Sequence, residues 1–179
     1  MGNRAVITTP DMLCGVYLHW NGGRDSVEGF LTYCRLAGHR DPTEDGTYAL
    51  ARLVQVVGNF FGGSLSVGVG PYDTLDCDNG DNGVYVVGQD WRIVRRLFFK
   101  GVEQHEYTLW DMLRSIDEAQ PEPIGEDEML TRCKMYGYTS MELFGTPDAT
   151  VDAEVDKDGD DEEERMIAIL NGEIDGGDE

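Results

Sequence analysis

The chain has 179 residues, 40% of them hydrophobic, and its 35 acidic residues against 14 basic ones give a net charge of −21. This length suits a single hydrophobic core, so we expect one domain with an appendage. No apolar run reaches the roughly 18 residues of a membrane span, and we therefore predict a cytoplasmic protein without a membrane segment. The four widely spaced cysteines predict free thiols rather than disulfides.

The N-terminal region is predicted to form a β-hairpin followed by a helix. Ala5 to Thr9 and Val16 to Trp20 have strand patterns, and a Pro-Asp turn signal lies between them. Asp25 and Glu28 have the spacing of a capping box, which predicts a helix start. Gly38 stands where such a helix would end.

Tyr48 to Phe61 is predicted to be a central helix around which the fold is organised. Most of its residues are apolar, and they cover nearly the whole helical circumference. Only Arg52, Gln55 and Asn59 form a polar stripe, so the helix is predicted to be buried on almost every side. The Gly62-Gly63 pair ends it.

After the central helix, the sequence predicts three short strands and another helix. Residues 64–69 alternate between apolar and small residues, and Val84 to Val87 and Trp91 to Phe99 also have strand patterns. We predict that these strands form a meander, followed by a helix over residues 109–116. The expected fold class is α+β: an antiparallel sheet, built from the hairpin and the meander, packs against the buried central helix and flanking helices.

The sequence predicts three regions along the chain. Residues 1–123 form the globular α+β domain, residues 124–144 form a helical extension that docks on it, and residues 145–179 form an acidic tail with a short terminal amphipathic segment. Residues 121–179 hold 19 acids and 4 bases, a net charge of −15. An acidic region of this kind repels nucleic acid, and its natural partner is a basic protein surface.

The predicted partner-binding residues are the nine acids near the start of the tail. If Asp160 to Glu164 is helical, it carries one charge per about 1.5 Å of rise. Duplex DNA carries one charge per about 1.7 Å of its axis, so the linear charge densities match. A DNA mimic also needs its charges on one surface, whereas consecutive helical positions spread around the axis. The predicted partner-binding residues are Asp152, Glu154, Asp156, Asp158, Asp160, Asp161, Glu162, Glu163 and Glu164.

A second candidate site is a basic strand. Arg92, Arg95, Arg96 and Lys100 place four of the fourteen basic residues on one predicted strand. Period-two alternation puts Arg92 and Arg96 on the same face. These residues could form an anion-binding strip, or they could protect an edge strand against aggregation.

A third candidate is an Asp-rich loop. Asp73, Asp76, Asp78 and Asp81 supply four carboxylates within nine residues, which is enough oxygen for a calcium or magnesium ion. Asp and Asn next to Gly are also the residues that turns use, and the turn is the favoured interpretation. The sequence has no nucleophile elbow, dinucleotide fingerprint or phosphate loop, so we expect neither catalysis nor a cofactor.

Three segments resemble an uncharacterised group of small proteins encoded by phages and prophages of gut and Gram-positive bacteria. The segments are Met1 to Thr8, Tyr17 to Gly23 and Asp78 to Tyr85. The resemblance covers residues 1 to about 120, and the group brings no catalytic assignment. In size and acidity the chain is also similar to phage anti-restriction and anti-CRISPR inhibitors, several of which imitate DNA.

Together, these likenesses imply a non-enzymatic inhibitor of a basic host protein, such as a CRISPR effector or a restriction enzyme. Two alternatives stay open. One is a metal-dependent enzyme that uses the Asp73 to Asp81 loop, and the other is a general protein-interaction adaptor.

Overall fold

A five-stranded mixed sheet forms the centre of the domain that the structure describes. The computed structural model describes residues 3–63 and 66–145, all within one compact unit. In spatial order the strands are β3, β2, β1, β4 and β5; β1 pairs with β4 in parallel, and the other neighbours are antiparallel. The strands span β1 Ala5–Thr8, β2 Cys14–Leu18, β3 Val67–Pro71, β4 Val84–Val87 and β5 Ile93–Leu97.

The α+β class, the N-terminal hairpin and the antiparallel pairing of β4 with β5 are confirmed. The predicted place of β3 beside β4 and the wholly antiparallel sheet are wrong. β3 pairs with β2 at one edge, and β4 lies on the other side of β1. Residues 72–83 therefore cross the sheet between them, and Leu75 lies against Gly15, where an added Cβ would be only 2.8 Å from the Leu75 Cδ1 atom. Alternation identifies strands but does not identify their neighbours, because pairing depends on contacts between distant residues.

In residues 3–63 and 66–145, five α-helices complete the domain and cover the face of the sheet to which Ile7 and Tyr85 contribute. Leu53 and Leu113 are fully buried in the core that these helices share with the sheet. The helices span α1 Arg24–Leu36, α2 Gly46–Phe61, α3 Leu109–Glu118, α4 Glu126–Met135 and α5 Ser140–Phe144.

The central helix α2 is amphipathic rather than buried on nearly every side. The residues of its buried face are Ala49, Leu50, Leu53, Val56 and Val57. Tyr48 is 40% exposed on the other side, where Ala51 and Gly58 are exposed as well. The prediction failed because small apolar residues occupy exposed helical positions, and apolarity alone does not require burial.

The start of α1 also differs from the prediction. Its N-cap is Gly23, and Asp25 does not form a capping box. The buried carboxylate of Asp25 instead accepts hydrogen bonds from the backbone N–H groups of Glu106 (2.7 Å) and Tyr107 (3.1 Å). Asp25 therefore ties the segment before α3 to α1, which is a contact across about eighty residues.

Residues 124–144 contribute to the core. Met129 and Cys133 of α4 and Leu143 of α5 are buried with the residues of α1 and α3.

All four cysteines are free thiols. No helix in the described ranges has the length and hydrophobicity that crossing a membrane requires. The predicted tail from residue 146 onward lies outside the described residues.

Candidate functional site

The predicted basic strand is β5, an edge strand of the sheet, and its arginines do not share one face. A β-bulge beside Val86 and Val87 shifts the register, so that Arg95 lies opposite Val86 and Ile93 lies opposite Val87. Arg96 lies opposite Tyr85 and therefore points towards the core face. Period-two alternation could not reveal this, because a bulge adds one residue to one strand only.

Arg96 is buried, with 8% of its side chain exposed, and its guanidinium is already bonded within the protein. It pairs with the carboxylate of Glu103, donates a hydrogen bond to the Asn82 carbonyl oxygen (2.6 Å), and lies 3.7 Å from the centre of the Tyr85 ring. A charge buried with its partner is not available to an external ligand. The candidate anion-binding strip is thus reduced to Arg92, Arg95 and Lys100, which are exposed.

Glu103 joins Arg96 to the start of α1, a contact that sequence patterns did not indicate. Its Oε1 atom lies 3.5 Å from the Nη1 atom of Arg24, whose Nε atom bonds to Glu28 at 2.8 Å.

Beside this network, burial raises the pKa of the Tyr85 phenol, which donates a hydrogen bond to the Gly22 carbonyl oxygen at 3.0 Å. This arrangement stabilises the fold rather than presenting a reactive group.

Asn79 organises the Asp-rich loop as a turn. Only 4% of Asn79 is exposed, and its Oδ1 atom accepts hydrogen bonds from the N–H groups of Asp81 and Gly83, both at 3.1 Å. Its side-chain amide donates to the Gly83 carbonyl oxygen at 3.2 Å. The Asn79 side chain therefore forms hydrogen bonds with the backbone N–H and C=O groups of the turn itself, which is the role Asn commonly has in turns.

The four carboxylates of this loop do not converge on one point. Asp81 accepts hydrogen bonds from Arg4, at 2.7 Å from the Nε atom and 3.1 Å from the backbone N–H, and the Arg4 guanidinium lowers the pKa of Asp81. Asp76 lies 3.7 Å from the same guanidinium, whereas Asp73 and Asp78 are exposed. Among the described residues, no group of three or more His, Cys, Asp or Glu side chains could hold a metal ion. The geometry gives the metal alternative no support.

The structure reveals an acidic groove that the sequence did not indicate. An open groove of about 430 Å³ lies where the end of β1 meets the start of α2, and its rim carries Asp11, Glu44 and Asp45. Asp11 accepts a hydrogen bond from the Thr9 hydroxyl at 2.6 Å. Asp45 caps α2, because its carboxylate accepts a hydrogen bond from the backbone N–H of Tyr48. This hydrogen bond is the main cause of the lowered pKa of Asp45.

Next to the groove, two arginines surround the exposed ring of Tyr48. Arg52 donates a hydrogen bond to the Tyr48 hydroxyl oxygen at 2.7 Å, and Arg40 lies 4.7 Å from the ring centre. Arg40 also pairs with Asp45 at 3.2 Å, which links this cluster to the acidic rim. Arg52, one of the three residues of the predicted polar stripe, therefore already has a hydrogen-bond partner within the protein.

The nine predicted partner-binding acids, residues 152–164, lie outside the described residues. Comparison of the chain with protein-family models, with curated proteins and with solved structures finds no match.

Proposed function

We propose that the protein is a non-enzymatic inhibitor that binds the basic surface of a nucleic-acid-handling host defence protein, of the anti-CRISPR or anti-restriction kind. The observation that carries this proposal is the charge distribution, with a net −15 in residues 121–179 out of −21 in the whole chain. A dense group of carboxylates attracts a surface that has evolved to hold phosphates, and it does so as a mimic of DNA.

The pairing of the basic residues in the domain supports this proposal. At least seven arginines of the described residues form ion pairs with carboxylates, which leaves few cations to attract an anionic ligand. Residues 1–145 hold 21 acids and 12 bases, so the domain itself has a net charge of −9. The paired arginines are Arg4, Arg24, Arg35, Arg40, Arg96, Arg114 and Arg132.

The test is a binding assay with the full chain immobilised and a panel of purified CRISPR effectors and restriction enzymes as probes. Binding should weaken steeply as salt rises, since exposed charges are screened over about 8 Å at physiological ionic strength. Duplex DNA should displace the bound nuclease if the two ligands share a surface. An inhibitor should also reduce cleavage of a target plasmid by the nuclease that it binds.

A pair of charge-matched variants locates the binding residues. In the first, Asp160, Asp161, Glu162, Glu163 and Glu164 are replaced by their amides. In the control, amides replace five exposed acids that come before residue 121: Glu44, Asp73, Asp78, Glu106 and Glu118. Both variants lose five negative charges, but only the first should lose binding. Equal affinity for both variants and the unaltered chain would show that mimicry by the tail is wrong.

Calorimetric titration separates the two alternatives from the proposal. Calcium, magnesium and manganese should each give no more heat than dilution, because the loop carboxylates are separated and Asp81 is paired with Arg4. If a metal gives saturable heat, and the double variant Asp76→Asn with Asp78→Asn removes that heat, the metal-dependent enzyme becomes the favoured alternative. A partner that binds equally well at high salt, and is not displaced by DNA, would instead favour a general adaptor.

A further inference from the structure

The two edges of the sheet differ in how they are protected. At one edge, β5 carries the exposed Arg95 and directly follows the exposed Arg92, and charge of this kind discourages pairing with another strand. At the other edge, β3 has no charged residue. It lies within residues 53–72, the longest stretch of the chain without Asp, Glu, Lys or Arg. No other strand in the described part of the chain pairs with the outer side of β3.

The backbone groups on that outer side can be assigned from the register. The His19 N–H donates to the Ser66 carbonyl oxygen (2.9 Å) and the Tyr72 N–H donates to the Leu13 carbonyl oxygen (3.2 Å). Antiparallel strands exchange hydrogen bonds through alternate residues, so the even-numbered residues 66 to 72 face β2. Val67 and Val69 therefore point their N–H and C=O groups away from the sheet.

The side chains leave room for another strand. Val69 is 62% exposed, although it lies on the sheet face that the helices cover, opposite Val16. On the other face, Gly68 and Gly70 have no side chains. An approaching strand would thus meet two valines on one face and two glycines on the other, where the side chains of Thr74 and Leu75 lie beside Gly70.

We propose that β3 pairs with β3 of a second copy of this chain, antiparallel and centred on Val69, to form a continuous ten-stranded sheet. This register places Val69 opposite Val69 of the second copy, each Gly68 opposite Gly70 and each Val67 opposite Pro71. Because Pro71 has no N–H group and its carbonyl oxygen already accepts a hydrogen bond from the Thr74 hydroxyl at 2.8 Å, the two Val69 residues supply the central pair of backbone hydrogen bonds. Charge favours a second copy over a basic partner at this edge, because a cationic strand would find no carboxylate on β3. At this edge two chains of net charge −21 can also meet without placing strand carboxylates, or strand arginines as at β5, opposite each other.

The test is sedimentation equilibrium of the full chain over a range of protein concentrations. A monomer–dimer equilibrium should appear and should shift towards dimer as salt rises, since screening reduces the repulsion between two acidic copies. Val69→Lys should weaken the dimer by about tenfold or more, because two ammonium groups would lie opposite each other. Val94→Lys on β5 is the matched control, since Val94 is 54% exposed at the opposite edge, and it should leave the dimer intact.

Amide hydrogen exchange on the unaltered chain provides a second readout that needs no substitution. The N–H groups of Val67 and Val69 should become protected as the protein concentration increases, in step with dimer formation. A chain that stays monomeric at all concentrations and salts would overturn the proposal. So would a dimer that tolerates Val69→Lys, or protection of these amides in the monomer, which would mean that the chain covers its own edge.

Discussion

Tyr33 on α1 donates a hydrogen bond of 2.8 Å to the carboxylate of Asp117 on α3, and both side chains are buried. The same carboxylate accepts the N–H groups of Ile124 at 2.7 Å and Gly125 at 2.9 Å. Asp117 therefore connects two core helices to the turn that starts α4. Burial and the bond to Asp117 together raise the pKa of Tyr33.

Replacing Asp117 should destabilise the domain more than replacing its partner. Tyr33→Phe removes one hydrogen bond and should lower the free energy of unfolding by about 1 kcal/mol. Asp117→Ala leaves three donors unsatisfied and should lower it by about 2–4 kcal/mol. Denaturant unfolding measures both, with the exposed neighbour Glu118→Ala as a control that should change stability by less than about 0.5 kcal/mol. Equal effects for Tyr33→Phe and Asp117→Ala would contradict this role.

The ion pair between Asp81 and Arg4 should make stability depend on pH. Arg4 lowers the pKa of Asp81 in the folded state below the value of about 3.9 in an unfolded chain. Its contribution is therefore complete above the unfolded pKa and is lost as the pH falls through the folded pKa. The stability difference between the unaltered chain and Asp81→Asn should be largest near neutral pH and should shrink below about pH 4. A stability difference that does not change as the pH falls would contradict this role of the ion pair.

Within the core, Leu53→Ala should destabilise the protein more than Phe60→Ala. Leu53 is fully buried, and its truncation should cost about 2–5 kcal/mol. Phe60 is only half-buried, packing edge-to-face on Phe30 with ring centres 5.2 Å apart, so its truncation should cost less than the 3–5 kcal/mol typical of a buried Phe. Thermal and denaturant unfolding can rank the two variants. The reverse order would show that α2 faces the core differently.

Breaking the buried pair of Arg96 and Glu103 should be strongly destabilising. Glu103→Gln leaves the Arg96 guanidinium, with 8% of its side chain exposed, without a counter-charge. A buried charge deprived of its partner costs about 3–5 kcal/mol. Arg92→Gln, at an exposed position beside the same strand, should change the free energy of unfolding by less than about 0.5 kcal/mol. Similar losses for both variants would mean that Arg96 is not the inward-facing arginine.

Local patterns were sufficient to locate most elements but not to arrange them. Val84 to Val87 was predicted as a strand and is one, because β-branched runs between turns are a local signal. Its parallel pairing with β1, however, joins Val6 to Val84, and no pattern in either segment specifies that contact. The same holds for Asp25, whose spacing to Glu28 suggested a cap but whose partners lie near residue 106.

For the candidate sites, the sequence identified charged residues but not their partners. The sequence shows the carboxylates of the Asp-rich loop but not their partner, because Arg4, which holds Asp81, lies 77 residues away. Arg96 was assigned to the surface because one bulge residue in β5 was not foreseeable. The acidic groove was missed since Asp11 and Asp45 come from two elements that meet only in the folded chain.

The position of β1 in the middle of the sheet has a consequence for synthesis of the protein on the ribosome. β1 obtains its second neighbour only when β4, which ends at Val87, has been made. At about 5–20 residues per second, the interval between the two strands lasts about 4–16 s. During that time the nascent chain exposes the inner strand of its future sheet as an open edge. A stalled or truncated product that ends before β4 would therefore expose the β1 edge to aggregation.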